Sequence, residues 1–226
     1  MTTLILGDDF VAEFKKYNTQ SLGEEIANAV SHGVGSLLSI AAAVVLIVRA
    51  AYLSDAMGVV GACIFGASLI LLYTFSSIYH SLTNFKAKYV FQIFDHCSIF
   101  ILILGTYTPI CFTVLRGAWG WTLFGINALC TVVGIVFNSI DLKRWNKISL
   151  VIYVIMGWSV LVSGKTMLRI TPPGGLALLV TGGVAYTVGI VFYKMKKVKY
   201  MHFVWHLFVL AGSILHYFYV LFYCYR

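Results

Sequence analysis

Seven stretches of roughly twenty apolar residues, each closed by charged or turn-forming residues, constrain this chain more than any other feature of its sequence. A helix needs about 20 apolar residues to cross about 30 Å of hydrocarbon, and a helix satisfies its own backbone hydrogen bonds there. The expected spans lie near 30–53, 57–80, 89–115, 118–138, 147–167, 174–193 and 200–224. They are too long for barrel strands, so the expected class is all-α, a polytopic membrane protein of seven transmembrane helices. Composition agrees: 60% of the 226 residues are hydrophobic, only 11% are charged, and mean hydropathy is +0.90. No internal repeat or soluble domain is visible. Residues 1–21 are expected to form a cytoplasmic tail and residues 22–226 a single membrane domain. Asp8, Asp9 and Glu13 follow the first residues where a signal peptide would carry basic ones, so insertion is expected through the spans themselves.

The basic residues orient the bundle. Eleven of the Lys and Arg residues fall in the tail and in the second-to-third, fourth-to-fifth and sixth-to-seventh connections, Lys86 and Lys88 among them, against five on the other side. The positive-inside rule then puts the N-terminus in the cytoplasm and the C-terminus outside. The same rule accounts for the formal charge of +8 and for the Lys194, Lys196, Lys197, Lys199 run, with no need of nucleic acid. Five cysteines, Cys63, Cys97, Cys111, Cys130 and Cys224, are an odd number without a C-x-x-C pair, and are expected to be packing thiols.

Polar residues inside spans are costly and ask for partners. Ser21-Leu22-Gly23-Glu24 reads as a capping box that starts the first helix. Glu25, Asn28 and His32 then share one face at i, i+3 and i+7. His80 ends span two, Asp95 enters span three, and His202 and His206 stand one turn apart at the start of span seven. The topology brings all of these to one layer near the cytoplasmic surface. Neutral imidazoles are good zinc ligands, and three protein ligands leave a position open for chemistry. His80, His202 and His206 are the expected ligands, with a metal-free polar cluster as the alternative. Asp95 would serve a zinc-bound water as base, or orient a ligand, and Ser76, one turn before His80, would hydrogen-bond the site or a substrate oxygen. Glu25, Asn28 and His32 are expected to support the helix start. His96 and His216 are expected to be hydrogen-bonded packing residues, and tyrosines and tryptophans near span ends to form an aromatic belt.

Glu25-x-x-Asn28-x-x-x-His32-Gly33, Ser76-Ser77-Ile78-Tyr79-His80, Asp95 and His202-x-x-x-His206, in this order on seven spans, resemble the hemolysin III family, the bacterial branch of the PAQR group that includes adiponectin and progestin receptors and is more remotely similar to alkaline ceramidases. The resemblance covers Glu24 to Cys224. It implies a zinc ion held near the inner leaflet by His80, His202 and His206, with Asp95 beside it and Ser76 one turn before the first ligand. It also implies a multi-pass protein of the bacterial cell membrane whose partners are membrane lipids, with a lipid substrate or fatty acid in an intramembrane cavity. The receptors' hormone and partner binding is not carried over, because the region ahead of the first span is short.

Three functions follow. The first is a zinc-dependent hydrolase of a lipid amide or ester bond, ceramidase-like. The second is a non-catalytic factor or sensor of membrane energetics or fluidity with structural zinc, and the third a haemolytic pore protein. A retinal protein is set aside, since residues 201–224 contain no lysine, and so is haem, since two histidines on one helix face converge on one side of an ion.

Overall fold

The computed structural model describes residues 20–225, and the expected tail lies almost wholly outside them. Helix α1 spans Leu22–Leu53, α2 Ala56–Ser81, α3 Phe85–Pro109 and α4 Ala118–Trp158. A 3-10 turn, Ser159–Ser163, leads into the short α5, Gly164–Ile170, followed by α6, Pro173–Lys194, and α7, Met201–Tyr219. Both α3 and α7 finish in π turns, Ile110–Val114 and Val220–Cys224. Among the described residues, six helical stretches are long and apolar enough to cross a membrane, and one of them, Ala118–Ile170, has 53 residues.

That long stretch cannot be straight. Asp141 has φ −159° and ψ 92°, outside the helical region. Asn127 Nδ2 donates to Ser159 Oγ at 3.0 Å across 32 positions, which a continuous helix would hold about 48 Å apart. Ser149 Oγ donates to Asn138 Oδ1 at 2.7 Å, and the Phe137 and Trp145 rings stack at 4.2 Å. The chain therefore folds back at Asp141 into two antiparallel limbs. The sequence predicted a basic loop over Asp141-Leu142-Lys143-Arg144. Instead a single extended residue makes the turn, its Oδ1 accepting from the Arg144 N–H at 3.0 Å, and helix resumes at once because Leu, Lys and Arg are good helix formers.

Many large apolar side chains face outward, as contact with lipid favours, while the interior combines an apolar core with buried polar residues. The buried seam of α1 is Glu24, Asn28, His32, Gly35, Ser39, Ala43, Leu46 and Ala50, at spacings of three and four. Leu22, Ile26, Val30, Val34 and Leu37 of the same helix face outward. Small residues let neighbouring backbones approach closely. Gly134 faces the Phe100 ring, and Gly189 of α6 packs on Trp205 and Phe208 of α7. Pro109 sits where α-helical spacing gives way to the π turn, with the Leu115 N–H donating to the Ile110 carbonyl at 2.9 Å. At the end remote from the histidines, Arg116 and Asp55 form an exposed ion pair at 2.8 Å.

A methyl group at Gly134 would collide with the Phe100 ring, whereas one at Gly125 would meet nothing. Gly134→Ala is therefore expected to cost about 1–3 kcal/mol, read as a lowered thermal midpoint in detergent micelles, with Gly125→Ala unchanged or slightly stabilised. Equal midpoints for the two variants would contradict this packing.

Candidate metal centre

The predicted capping box starts α1: the Ser21 side chain accepts from the Glu24 N–H, and the Glu24 carboxylate accepts from the Ser21 N–H at 2.9 Å. The same carboxylate reaches α7. Its other oxygen accepts the Tyr200 N–H at 2.8 Å, and Tyr200 sits in the left-handed region at φ 63°. The starts of α1 and α7 are thereby tied together two residues before His202. One turn of α1 further on, Glu25, Asn28, Ser31 and His32 enter the layer of histidines.

One nitrogen from each of His80, His202 and His206 lies within 4.8 Å of the others. The Nε2 atoms of His202 and His206 are 3.2 Å apart. Two nitrogens bound tetrahedrally at about 2.05 Å from one zinc would be separated by about 3.3 Å. For two of the three rings, hydrogen bonds decide which nitrogen is offered. Glu25 Oε2 lies 2.7 Å from His80 Nδ1, so the Nδ1 proton donates to the carboxylate and Nε2 carries the lone pair. Nε2 of His80 is buried with no hydrogen-bond partner. For His206, Ser31 Oγ already donates to the Asn28 carbonyl at 2.9 Å, so it accepts the His206 Nδ1 proton at 3.3 Å and Nε2 is again the free base. Lone pairs converging in a buried layer suit a cation, and imidazole nitrogens suit zinc.

The remaining predicted residues surround this group in different ways. The His32 ring stacks on His206 with centroids 3.6 Å apart and an interplanar angle of 10°, and meets Tyr73 edge-on at 5.0 Å. It braces the His206 ring and lies outside the group of three histidines that could hold an ion. The Asn28 amide lies 3.5 Å from His80 Nδ1 and donates to Gln20 Oε1 at 2.8 Å. Asp95 also lies outside the ligating group; its side chain is 13% exposed, with His96 Nδ1 3.7 Å away. Ser76 Oγ is beside the Asp95 carboxylate but buried without a closed hydrogen bond. His96 Nδ1 donates to the Gln92 carbonyl at 2.9 Å and His216 Nε2 to the Leu179 carbonyl at 3.1 Å, the packing roles expected of them.

Two participants were not read from the sequence. Ser31 gave no signal beyond lying three residues after Asn28. Lys88, assigned to a connection, is in the first turn of α3 and only 5% exposed, its ammonium 3.0 Å from Glu25 Oε1. That corrects its use as an exposed topology signal. Its position four residues past Asn84, the N-cap of α3, is the feature that marks it as helical.

Fold and site together define a multi-pass cell-membrane protein whose helices gather three histidines at one end. The model of the family described as Haemolysin-III related matches residues 20–217. Hemolysin-3 of Bacillus cereus is 43% identical over 205 residues, covering 91% of this chain and 94% of that protein. The Hemolysin-3 homolog of Bacillus subtilis (strain 168) is 44% identical over 204 residues, covering 90% and 96%. More distantly, the human Monocyte to macrophage differentiation factor is 25% identical over 171 residues, covering 73% and 71%. The chain belongs to the haemolysin III family.

The hydrogen-bond network predicts that His80 and His206 are neutral with the proton on Nδ1. In spectra of protein carrying 15N-labelled histidine, with His80→Ala and His206→Ala used for assignment, both residues should show a protonated Nδ1 and an unprotonated Nε2. Nε2–H tautomers at either position would contradict the network.

Proposed function

We propose that this protein is a zinc-dependent hydrolase acting on the amide or ester bond of a membrane lipid at the inner leaflet. The observation that carries this is the convergence of three imidazole nitrogens within 4.8 Å, with Asp95 and Ser76 on the neighbouring turns of α3 and α2. In this reading the fold-back at Asp141 divides Ala118–Ile170 into two crossings, giving seven spans, with the N-terminus cytoplasmic and the C-terminus outside.

His80, His202 and His206 would hold the ion. When bound, zinc supplies a Lewis acid that polarises a carbonyl and brings the pKa of water down to about 7. Glu25 and Ser31 keep two of the three rings in the ligating tautomer. Asp95 accepts a proton from the attacking water and returns it to the leaving group, with Ser76 steadying its carboxylate or a substrate oxygen. A cavity of about 110 Å³ begins at His96, Tyr193 and Trp205, beside these residues, and continues to Thr106 and His216. His216 is ten residues beyond His206, about 15 Å further along α7. Leu72, Ile99, Leu102 and Val209 make this cavity apolar over most of its wall, which suits an acyl chain whose polar linkage stays at the histidine layer.

A second reading, a non-catalytic factor for membrane energetics or fluidity, is favoured by the way the cluster joins α2 to α7. Those helices are also tied by Tyr73 Oη donating to Ser213 Oγ at 2.7 Å, and a metal there would act as a structural pin. The name of the Bacillus relatives points to haemolysis, yet among the described residues the three histidines gather in one group at one end of the bundle.

Zinc-loaded protein in liposomes should release fatty acid from a panel of N-acyl and O-acyl lipids. Asp95→Asn should slow release by about 10²–10⁴-fold with zinc content unchanged. No release by wild type across the panel, together with a wild-type cellular phenotype for Asp95→Ala, would transfer support to the structural-pin reading.

A further inference from the structure

A lysine at the end of a transmembrane helix normally extends its ammonium to water. Lys88 turns inward, and its ammonium is fully engaged. It donates to the carbonyls of Tyr79 at 3.1 Å and Leu82 at 3.3 Å, and to Glu25 Oε1 at 3.0 Å, with the Tyr79 ring centroid 4.9 Å away. An ammonium has three N–H groups, and here three acceptors receive them. Two are carbonyls of the last turn and C-cap of α2, the negative end of that helix. The third is a carboxylate whose other oxygen lies 2.7 Å from His80 Nδ1.

The two oxygens of Glu25 are thus divided between a fixed cation and a ligand ring. A carboxylate with 14% of its side chain exposed gains solvation by turning toward water, and would then leave His80. Lys88 opposes that rotation, and it is itself fixed by carbonyls of the helix that carries His80. We propose that Lys88 is a positioning residue that holds Glu25 against His80 and keeps the Nε2 of His80 aimed at the metal position, an inference that rests on the metal reading above. Outer hydrogen-bond partners of metal-ligating histidines typically contribute about 10–100-fold to metal affinity. A role confined to capping α2 would affect stability alone.

The test measures zinc affinity by competition with a chromophoric chelator, and thermal midpoints with and without zinc, in detergent-purified full-length protein. Wild type, Lys88→Met, Lys88→Arg, Glu25→Gln and the Lys88→Met/Glu25→Gln double variant are compared. Lys88→Met and Glu25→Gln should each weaken zinc binding by about 10–100-fold, and the double variant no further than the weaker-binding single, because the two act in one chain. Lys88→Arg should recover part of the affinity, since it keeps the charge but carries it in a planar fork. Wild-type affinity in Lys88→Met, with a midpoint lowered equally in metal-free and zinc-loaded protein, would overturn the proposal and leave the metal site standing. Should Lys88→Met fail to fold, undiminished zinc affinity in Glu25→Gln overturns it equally. Wild type that takes up no zinc would remove the metal reading itself, and this inference with it.

Discussion

A buried imidazole surrounded by helices and lipid has two ring nitrogens to satisfy, and leaving a buried polar group without a partner costs about 1–3 kcal/mol. Three rings converge here, His80 and His206 buried and His202 half-buried, and for the two buried ones one nitrogen is spoken for by a partner on α1: Glu25 for His80, Ser31 for His206. The other nitrogens are left facing one another. That division of the His80 and His206 rings into a tethered side and a free side is what the rest of the structure serves. The polar seam of α1, the Glu24 link to Tyr200 and the stacking of His32 on His206 all fix rings that would otherwise rotate to satisfy themselves.

The bundle confines this cost to one end. Along α1 the buried seam passes from Glu24, Asn28 and His32 to Ala43, Leu46 and Ala50 within the same helix, so the polar layer gives way to close apolar packing as the helix enters the membrane. Tyr73, Tyr186 and Ser213 form a second, smaller polar knot, with both phenol oxygens within 2.8 Å of the serine hydroxyl. It joins α2, α6 and α7 around the apolar cavity. The histidine layer borders this cavity through Tyr193, which lines it and whose ring centroid is 6.0 Å from that of His202.

Much of this was legible in the sequence because it rests on local spacing. The capping box at Ser21 and Glu24, the shared face of Asn28 and His32, and the i, i+4 pair His202 and His206 are helical periodicities, and a helix realises them whatever it packs against. The meeting of His80 with His202 and His206 followed from counting spans and basic residues. What depended on tertiary context was not legible. Lys88 looks like any loop cation until α3 is seen to begin at Phe85, and Ser31 matters only because its hydroxyl proton is already committed to Asn28. The turn at Asp141 looked like a four-residue loop because charge was read as a break, while the residues after it are helix formers. Asp95 and Ser76 are neighbours, and Asp95 lies outside the group of three histidines.

The central claim is that the three imidazoles form one zinc site. Metal content of the purified protein, by mass spectrometry after expression with zinc and purification without chelators, tests it most directly when wild type is compared with His80→Ala and His202→Ala. The account predicts close to one zinc per wild-type chain and loss of most of it in both variants, with helical content retained by circular dichroism. Wild type that stays metal-free after exposure to zinc, and is as stable as it is in chelator, would contradict it.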